Sequence, residues 1–209
     1  MNLLGIVQRL HRESGGAGST PASVVSQTGE MGRLVDWANE AWMTIQRLQH
    51  WSWQWEQASI VIAATTNVTA ATVPVQRYLR HTAMIGTRRL QYLPWADFSV
   101  VYPDPATGSI TDWTVRPDNA IVTSTKPTDD TTISVQRYAV PTYLAVANDS
   151  TPTMPERFHM AIVWRALMDA SDYDEAGVSR AVASAKYAEV IGDAFSEGRA
   201  VIQLGEPLL

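Results

Sequence analysis

The chain has 209 residues, of which 45% are apolar and 18% are charged, so its composition excludes a disordered protein and predicts a sizeable hydrophobic core. Its 16 basic and 21 acidic residues give a net charge of -5, which argues against a general binder of nucleic acids or anionic membranes. The absence of cysteine excludes a disulfide framework, a thiolate metal site and a cysteine nucleophile.

The N-terminal segment predicts a short amphipathic helix whose apolar residues are Leu3, Leu4, Val7 and Leu10. It has no basic leader before an apolar core and no small-residue cleavage site, so we expect no secretion signal. The longest nearly uncharged stretch, residues 57–75, contains polar residues and a proline and falls short of a membrane span. We therefore expect a soluble protein made in the cytoplasm, without a membrane partner.

A second, longer helix is predicted after residue 28. Its apolar positions repeat at helical spacing and are Leu34, Ala38, Ala41, Ile45 and Leu48. The period then changes to two residues, because Trp51, Trp53 and Trp55 alternate with polar residues. This alternation predicts that the helix ends here and that an extended segment with one buried face follows.

From about residue 57 to residue 144 the chain is rich in Thr, Val, Ile and Tyr. Turn-forming sequences such as Pro-Asp-Pro and Arg-Pro-Asp-Asn interrupt it. This composition predicts short strands joined by turns. The strand candidates are Ser59–Ala63, Thr72–Tyr78, Arg88–Tyr92, Trp113–Val115, Ala120–Thr123 and Thr132–Tyr138.

Helical periodicity returns after residue 151. Pro155 stands at a favourable first helical position, and apolar residues from Phe158 to Met168 predict a buried helix. A second helix, rich in alanine, follows Gly177 and ends near Gly198. Both ends of the chain are therefore predicted to be helical.

This order of elements predicts an α+β fold. The N- and C-terminal helices most simply pack together as a helical bundle made of residues 1–56 and 152–198, with an inserted antiparallel β domain at residues 57–151. Residues 199–209 contain apolar side chains without a helical stripe, so we expect an extended C-terminal tail there.

The polar residues form no known catalytic or metal-binding motif. The histidines are His11, His50, His81 and His159, and none has the spacing of a nucleophile triad or of a zinc site. The acidic run from Asp169 to Glu175 lacks the glycine turn and the ligand spacing of a calcium loop. We therefore predict no catalytic residue, no cofactor and no metal.

Two groups of residues have a functional interpretation beside a structural one. Arg77, Arg80, Arg88 and Arg89 lie in a stretch, residues 57–96, that contains no Asp or Glu. They form either a basic patch that contacts phosphate or an acidic protein, or the solvated edge of a strand. The tryptophans present flat faces suited to stacking on bases or sugars, but their apolar spacing favours the core.

The two helical ends carry distinctive sequences. The first end comprises MNLLGIVQRLHRESG and TGEMGRLVDWANEAWMTIQRLQHWSWQW, and the second is DSTPTMPERFHMAIVWRALMDASDYDE. The pattern V-D-W-x-N-x-A-W is thus followed, far along the chain, by M-P-E-R-F-H-x-A-I-V-x-R-A-L. Both stretches resemble the phage adaptor proteins that join the portal to the tail in tailed bacteriophages, whereas the central β region is similar to that family in type only.

The resemblance implies a structural protein of the virion neck rather than an enzyme. It implies a ring, usually of twelve copies, that docks under the portal protein and offers a platform to the next tail or nozzle protein. Genomic DNA would pass through without specific binding, since an acidic lumen, to which the excess of acid after Asp149 contributes, avoids the affinity of basic grooves. The portal-binding residues are then expected in the tail and are Val201, Ile202, Leu204, Leu208 and Leu209.

Two other functions stay open as alternatives. A tail-associated cell-wall glycan hydrolase needs two carboxylates facing a groove, and Glu13, Glu30 and Glu40 are candidate acids for it. A carbohydrate-binding module would use Trp95 or Trp113 of the β region. Neither alternative explains the sequences of the two helical ends.

Overall fold

A computed structural model describes residues 1–16, 18–70, 75–173 and 180–200, with side chains described to residue 197. The helices in this part of the chain are α1 (Leu3–Glu13), α2 (Gly29–Arg47), α3 (Trp95–Val101), α4 (His159–Tyr173) and α5 (Arg180–Ala200). The strands are β1 (Trp55–Ile62), β2 (Val68–Thr69), β3 (Val75–Tyr78), β4 (Met84–Ile85), β5 (Arg88–Arg89), β6 (Gln91–Tyr92), β7 (Asp112–Val115), β8 (Ile121–Thr123) and β9 (Thr131–Ala139). The predicted α+β class is confirmed. Residues 199–200 of the predicted extended tail belong to α5, and residues 201–209 lie outside the described residues.

The chain divides into two compact units. The helical unit comprises Met1–Trp53 and Pro141–Leu209, and the β unit comprises Gln54–Val140. The helical unit is therefore built from two chain segments, and the β unit is the sequence that separates them.

In the helical unit, α4 packs against α1, α2 and α5. The side chain of Asn2 caps α1 by accepting a hydrogen bond from the amide of Gly5, with 2.9 Å between the two atoms. The predicted apolar stripe of α1 is buried except for Leu4, which is half-buried. The predicted core positions of α2 through Ile45 are buried as well. Leu48, which was placed on the same stripe, is the cap residue of α2 and is exposed.

Amide side chains of the helical unit fix the segment that returns from β9. Gln46 is buried on α2 and bonds both backbone groups of Thr142, at 2.9 Å to the carbonyl oxygen and 3.2 Å to the amide nitrogen. Asn39, two helical turns before Gln46 on α2, accepts a hydrogen bond from the amide of Leu144 at 3.0 Å. These bonds supply the backbone partners that an irregular segment needs when it lies against a helix.

The tryptophans after α2 follow the predicted alternation only in part. Trp51 is buried, donates from its indole nitrogen to the carbonyl of Ile45 at 2.7 Å, and stacks on Trp53 with 4.3 Å between ring centroids. Trp55 is 46% exposed, so the expectation of one buried face was wrong for it. The reason is a single 3-10 turn at Ser52–Gln54, which breaks the two-residue period before β1 begins.

The β unit contains two small sheets. The first has the order β1-β9-β4-β5, with β3 also paired to β9, and the second has the order β2-β8-β7-β6. The pairs are antiparallel except for β6 with β7, which run parallel. The longest pairing joins β1 to β9 over eight residue pairs, from Trp55 with Tyr138 to Ile62 with Thr131.

The predicted strands correspond to observed strands with shifted ends. The candidate Arg88–Tyr92 is divided into β5 and β6, and β1 begins four residues before the candidate at Ser59. The first residues of the candidate at Thr72–Tyr78 lie outside the described residues. Helix α3 was not predicted, and it lies between β6 and β7 within the sequence that was assigned to strands.

Candidate docking surfaces

A cavity of about 150 Å³ opens on the β unit where β3, β6 and β7 approach each other. We call it the arginine cavity, and its lining residues are Val75, Gln76, Arg77, Tyr78, Arg80, Tyr92, Val115 and Asn119. Apolar and aromatic side chains therefore share the cavity with two cations. Such a mixture suits an apolar group that carries a negative charge beside it.

The inner wall of the arginine cavity is an aromatic cluster. Trp113 is fully buried and meets Tyr92 and Tyr78 edge-on, with 5.3 and 6.1 Å between ring centroids. Burial raises the pKa of the Tyr78 hydroxyl, and the neighbouring guanidinium of Arg137 opposes that shift. Tyr78 is therefore neutral at physiological pH, and the wall is rigid and uncharged.

Two arginines give the cavity its positive charge. Arg80 lies over the ring of Tyr92, with 4.6 Å between the guanidinium carbon and the ring centroid, and Arg77 is exposed. Within the described part of the chain, neither Arg77 nor Arg80 takes part in an ion pair. Their charges are therefore available to a partner.

The acid that is closest in sequence to the cavity lining is already paired. Asp118 precedes the lining residue Asn119 and bonds to Arg116, with 3.0 Å from the Arg116 Nε to each carboxylate oxygen. This bond and a second one from the amide of Ala120 lower the pKa of Asp118 to about 2. Because Arg116 holds this carboxylate, the arginines of the cavity keep their net positive charge.

The other two arginines of the predicted basic patch have different neighbours. Arg88 donates to the carbonyl of Ile110 at 2.6 Å, which fixes its guanidinium on the β unit's own backbone. Arg89 lines a separate cavity of about 250 Å³ together with Gln57, Met84 and Ser134. The structure thus brings Arg77 and Arg80 to one cavity and places Arg88 and Arg89 elsewhere.

Helix α3 presents an apolar outer face, which we call the α3 knob and define as Asp97, Val100 and Val101. Val100 is 78% exposed and Val101 is 59% exposed, an unusual pair of neighbours for a surface helix. The acidic side chain of Asp97 lies one helical turn before Val101 and is exposed as well. The knob is therefore apolar with a negative charge at its side.

The inner face of α3 holds the knob firmly in place. Phe98 is buried, stacks on Trp95 and meets Tyr102 at a tilted angle, with 6.4 and 4.9 Å between ring centroids. The hydroxyl of Tyr102 donates to the carboxylate of Asp112 at 2.7 Å, and this bond raises the pKa of Tyr102. These contacts attach a helix of two turns to β7, so the knob needs little ordering when it binds.

The helical unit carries a smaller exposed aromatic group. Tyr173 at the end of α4 is 62% exposed, and the guanidinium of Arg33 lies over its ring at 4.5 Å. Trp37 approaches the same ring, with 5.8 Å between centroids. The predicted portal-binding residues of this unit, Val201, Ile202, Leu204, Leu208 and Leu209, lie outside the described residues.

His159, the first residue of α4, is buried and contacts polar atoms through both ring nitrogens. His159 lies with its Nε2 atom 2.9 Å from the carbonyl oxygen of Met154 and its Nδ1 atom 2.7 Å from the α-amino group of Met1. The same amino group pairs with Glu156 at 2.8 Å and lowers the pKa of that carboxyl. Burial lowers the pKa of His159, so the ring is neutral and serves the packing of the helical unit.

Among the candidate residues for sugar chemistry, Glu30 is exposed in the first turn of α2 and Trp95 is half-buried on α3. The other candidates have ordinary structural neighbours. Glu13 pairs with Arg9 at 2.6 Å on α1, and Glu40 accepts a hydrogen bond from the hydroxyl of Tyr143 at 2.7 Å. Trp113 is fully buried, so it offers no face to a sugar. Among the described residues, no cluster of three or more histidines and acids is placed to hold a metal ion.

No helix in the described part of the chain has the length and the apolar content that a bilayer crossing requires.

Comparison with known families identifies one model that spans nearly the whole chain. The model of the SU10 adaptor protein matches residues 1–204, which includes both helical ends and the β unit between them. No curated protein matches the chain.

Proposed function

The chain belongs to the SU10 adaptor protein family, and from this membership we propose that it forms a ring under the phage portal that connects the capsid to the tail. The match over residues 1–204 carries the proposal, because it covers the architecture as a whole rather than one motif. Membership itself implies a structural component of the virion that contacts other head and tail proteins. The ring, its number of copies, its docking to the portal and the passage of DNA are the proposed refinements.

Quantitative mass spectrometry of purified virions tests the proposal. The number of copies of this chain is compared with the number of copies of the portal protein in the same particles. We expect a ratio near one to one, since a single ring of about twelve copies matches a portal ring of the same symmetry. Absence of the chain from the particle, or a trace amount, would refute the proposal.

We propose that the C-terminal tail, residues 199–209, binds the portal. Val201, Ile202, Leu204, Leu208 and Leu209 give this segment apolar side chains that are well suited to folding onto a partner's groove. Deletion of residues 199–209 should abolish portal binding in a pull-down and leave the circular dichroism spectrum of the remaining helices almost unchanged. Undiminished portal binding by the shortened chain would contradict this part of the proposal.

We also propose that the ring lets DNA slide through a lumen to which acidic side chains contribute. From residue 149 onward the sequence has ten acids against five bases, and like charge prevents the release of counterions that gives basic proteins their affinity for DNA. Fluorescence anisotropy with duplex DNA at physiological salt should show no binding in the micromolar range. Sub-micromolar affinity would overturn the idea of a non-adhesive lumen.

The proposed role needs no bond-breaking chemistry from this chain. A cell-wall lysis assay with the purified protein should therefore give the background rate, and the alternative of a glycan hydrolase would require a rate above it. A carbohydrate-binding module would show quenching of tryptophan fluorescence when soluble glycan is added. We expect neither signal, since Trp113 is enclosed by the β unit and Trp95 is half-buried and stacks on Phe98.

A further inference from the structure

Two surface features of the β unit are complementary in polarity and charge. The α3 knob is apolar and acidic, with Val100 and Val101 exposed beside Asp97. The arginine cavity offers apolar walls, including Val75 and Val115, beside two arginines that have no ion-pair partner among the described residues. The knob therefore leaves apolar area in water, and the cavity leaves positive charge available to an acidic partner.

We propose that the α3 knob of one copy of this chain inserts into the arginine cavity of a second copy. Val100 and Val101 then lose contact with water against the aromatic wall, and Asp97 approaches Arg77 and Arg80. The occupant is a second copy because the same chain carries both halves of the contact.

Both halves of this contact are rigid before they meet. The knob is held by Phe98 and by the bond from Tyr102 to Asp112, and the cavity wall is held by Trp113. Pre-organised surfaces lose little conformational freedom on association, which favours a small contact over a flexible one of equal area. A contact of this size is nevertheless weak in isolation and gains strength when several copies close a ring.

The contact uses two different surfaces of the chain, so it is heterologous. Head-to-tail contacts of this kind generate a closed ring when the rotation between copies is a whole fraction of a turn. The inference thus rests on the proposed ring and names the residues that join its neighbouring subunits. It assigns to Arg77 and Arg80 a partner carboxylate on the next copy rather than a nucleic-acid phosphate.

Disulfide trapping tests the contact in the purified chain, which has no cysteine of its own. One preparation carries Val100→Cys and a second carries Val115→Cys, and the two are mixed under mild oxidation. We expect mixed disulfide dimers to form at least about tenfold faster than in a control mixture, because docking holds the two sulfur atoms within reach. The control pairs Val100→Cys with Val61→Cys, an exposed valine on β1 outside the cavity. Equal rates in the two mixtures would overturn the proposal.

A charge exchange supplies a second test that does not depend on cysteine chemistry. Asp97→Arg makes the knob positive and Arg77→Glu removes one positive charge from the cavity and adds a negative one, so each variant alone places like charges across its own contact. Sedimentation should show self-association weakened by roughly tenfold or more for each variant alone, and restored in an equal mixture of the two. Both residues are exposed, so neither change threatens the fold. Failure of the mixture to recover what the single variants lose would contradict a direct contact.

The outcomes separate this inference from the proposed function. If the chain is present in virions at the portal ratio but trapping between positions 100 and 115 does not exceed the control, the ring stands and its subunits meet elsewhere. If the chain is absent from virions but trapping exceeds the control, the self-contact stands and the neck assignment is refuted. Preferential cross-linking of Val100→Cys to a copurified portal or tail protein would refute a second copy as the occupant.

Discussion

The helical unit and the β unit solve the problem of a stable core in different ways. The helical unit uses long periodic stripes, so that most large apolar side chains of α1, α2 and α4 point inward and a continuous cluster results. The β unit has short strands, and its cluster gathers around one large residue, Trp113, with aromatic neighbours on two sides. Its surface keeps an apolar pair, Val100 and Val101, in water. The core of the helical unit is thus spread over several helices, whereas the core of the β unit depends on a few large side chains.

Replacing Trp113 should produce the largest effect, because the core of the β unit depends on one side chain. Trp113→Ala is expected to lower the free energy of unfolding of the β unit by about 3–5 kcal/mol, through lost burial and an unfilled cavity. Hydrogen exchange followed by mass spectrometry checks this separately in each unit. Protection should fall across β7, β8 and β9 and remain in α1, α2 and α4.

Trp113→Phe is the matched control for this change. The indole nitrogen of Trp113 has no hydrogen-bond partner among the described residues, so phenylalanine keeps most of the ring and removes an unsatisfied polar atom. We expect it to cost less than half as much as alanine. Loss of protection in both units with either variant would show that the two cores do not behave separately.

Replacing Gln46 should give a smaller effect that is confined to the helical unit. Gln46→Met keeps the volume of the side chain and leaves the amide and carbonyl of Thr142 without their partners. Losing two partly buried hydrogen bonds is expected to cost about 1–3 kcal/mol. Chemical unfolding, read out by circular dichroism at the helical minimum, measures it.

Gln57→Met tests whether amide side chains matter equally in the β unit. Gln57 is exposed on β1, and its side-chain amide donates to the hydroxyl of Ser134 at 2.6 Å. Its replacement should change the stability by less than about 0.5 kcal/mol. An equal loss for Gln46→Met and Gln57→Met would remove the distinction between a buried bridge and a surface bond.

The smallest effect concerns pH and the buried His159. Its pKa is lowered in the folded chain, chiefly by burial, so the unfolded chain takes up a proton at a higher pH than the folded chain does. The contribution of this histidine to the free energy of unfolding is therefore fully present above the ordinary histidine pKa of about 6.5. It is lost as the pH falls below that value towards the pKa of the folded chain. The facing charges are the Met1 amino group and Glu156.

His159→Gln should make the helical unit less sensitive to acid in this range. The glutamine amide replaces the bond to Met154 and does not titrate. Urea midpoints between pH 7 and pH 5 are compared for the two proteins, with His81→Gln as the control at an exposed histidine of the β unit. A slope that is the same for His159→Gln as for the parent chain would contradict the assignment.

The fold class and the helices could be predicted from the sequence because their signal is local. The stripe of α2 fixes its face without knowledge of the rest of the chain, and its predicted core positions from Leu34 to Ile45 are buried. Helix α3 was missed because it is two turns long and follows two short strands. Its spacing of Trp95, Phe98 and Tyr102 was present in the sequence but too short to stand out.

The arginine cavity could be predicted only in part. Arg77 and Arg80 are close in sequence, and the absence of acid around them marked a basic stretch. Tyr92, Val115 and Asn119 reach the same cavity through strand pairing and turns that a single sequence does not determine. The separation of Arg88 and Arg89 from the other two likewise depends on the positions of β4 and β5.

The division of the helical unit into two chain segments sets the order in which the molecule can be completed during synthesis. Helix α2 is synthesised before its partner α4, which begins 112 residues after Arg47. At about 5–20 residues per second this interval lasts roughly 6–22 s, and the whole β unit is made within it. The nascent chain therefore keeps the part of the α2 face that packs against α4 in contact with water for several seconds. The unit that is started first is finished last.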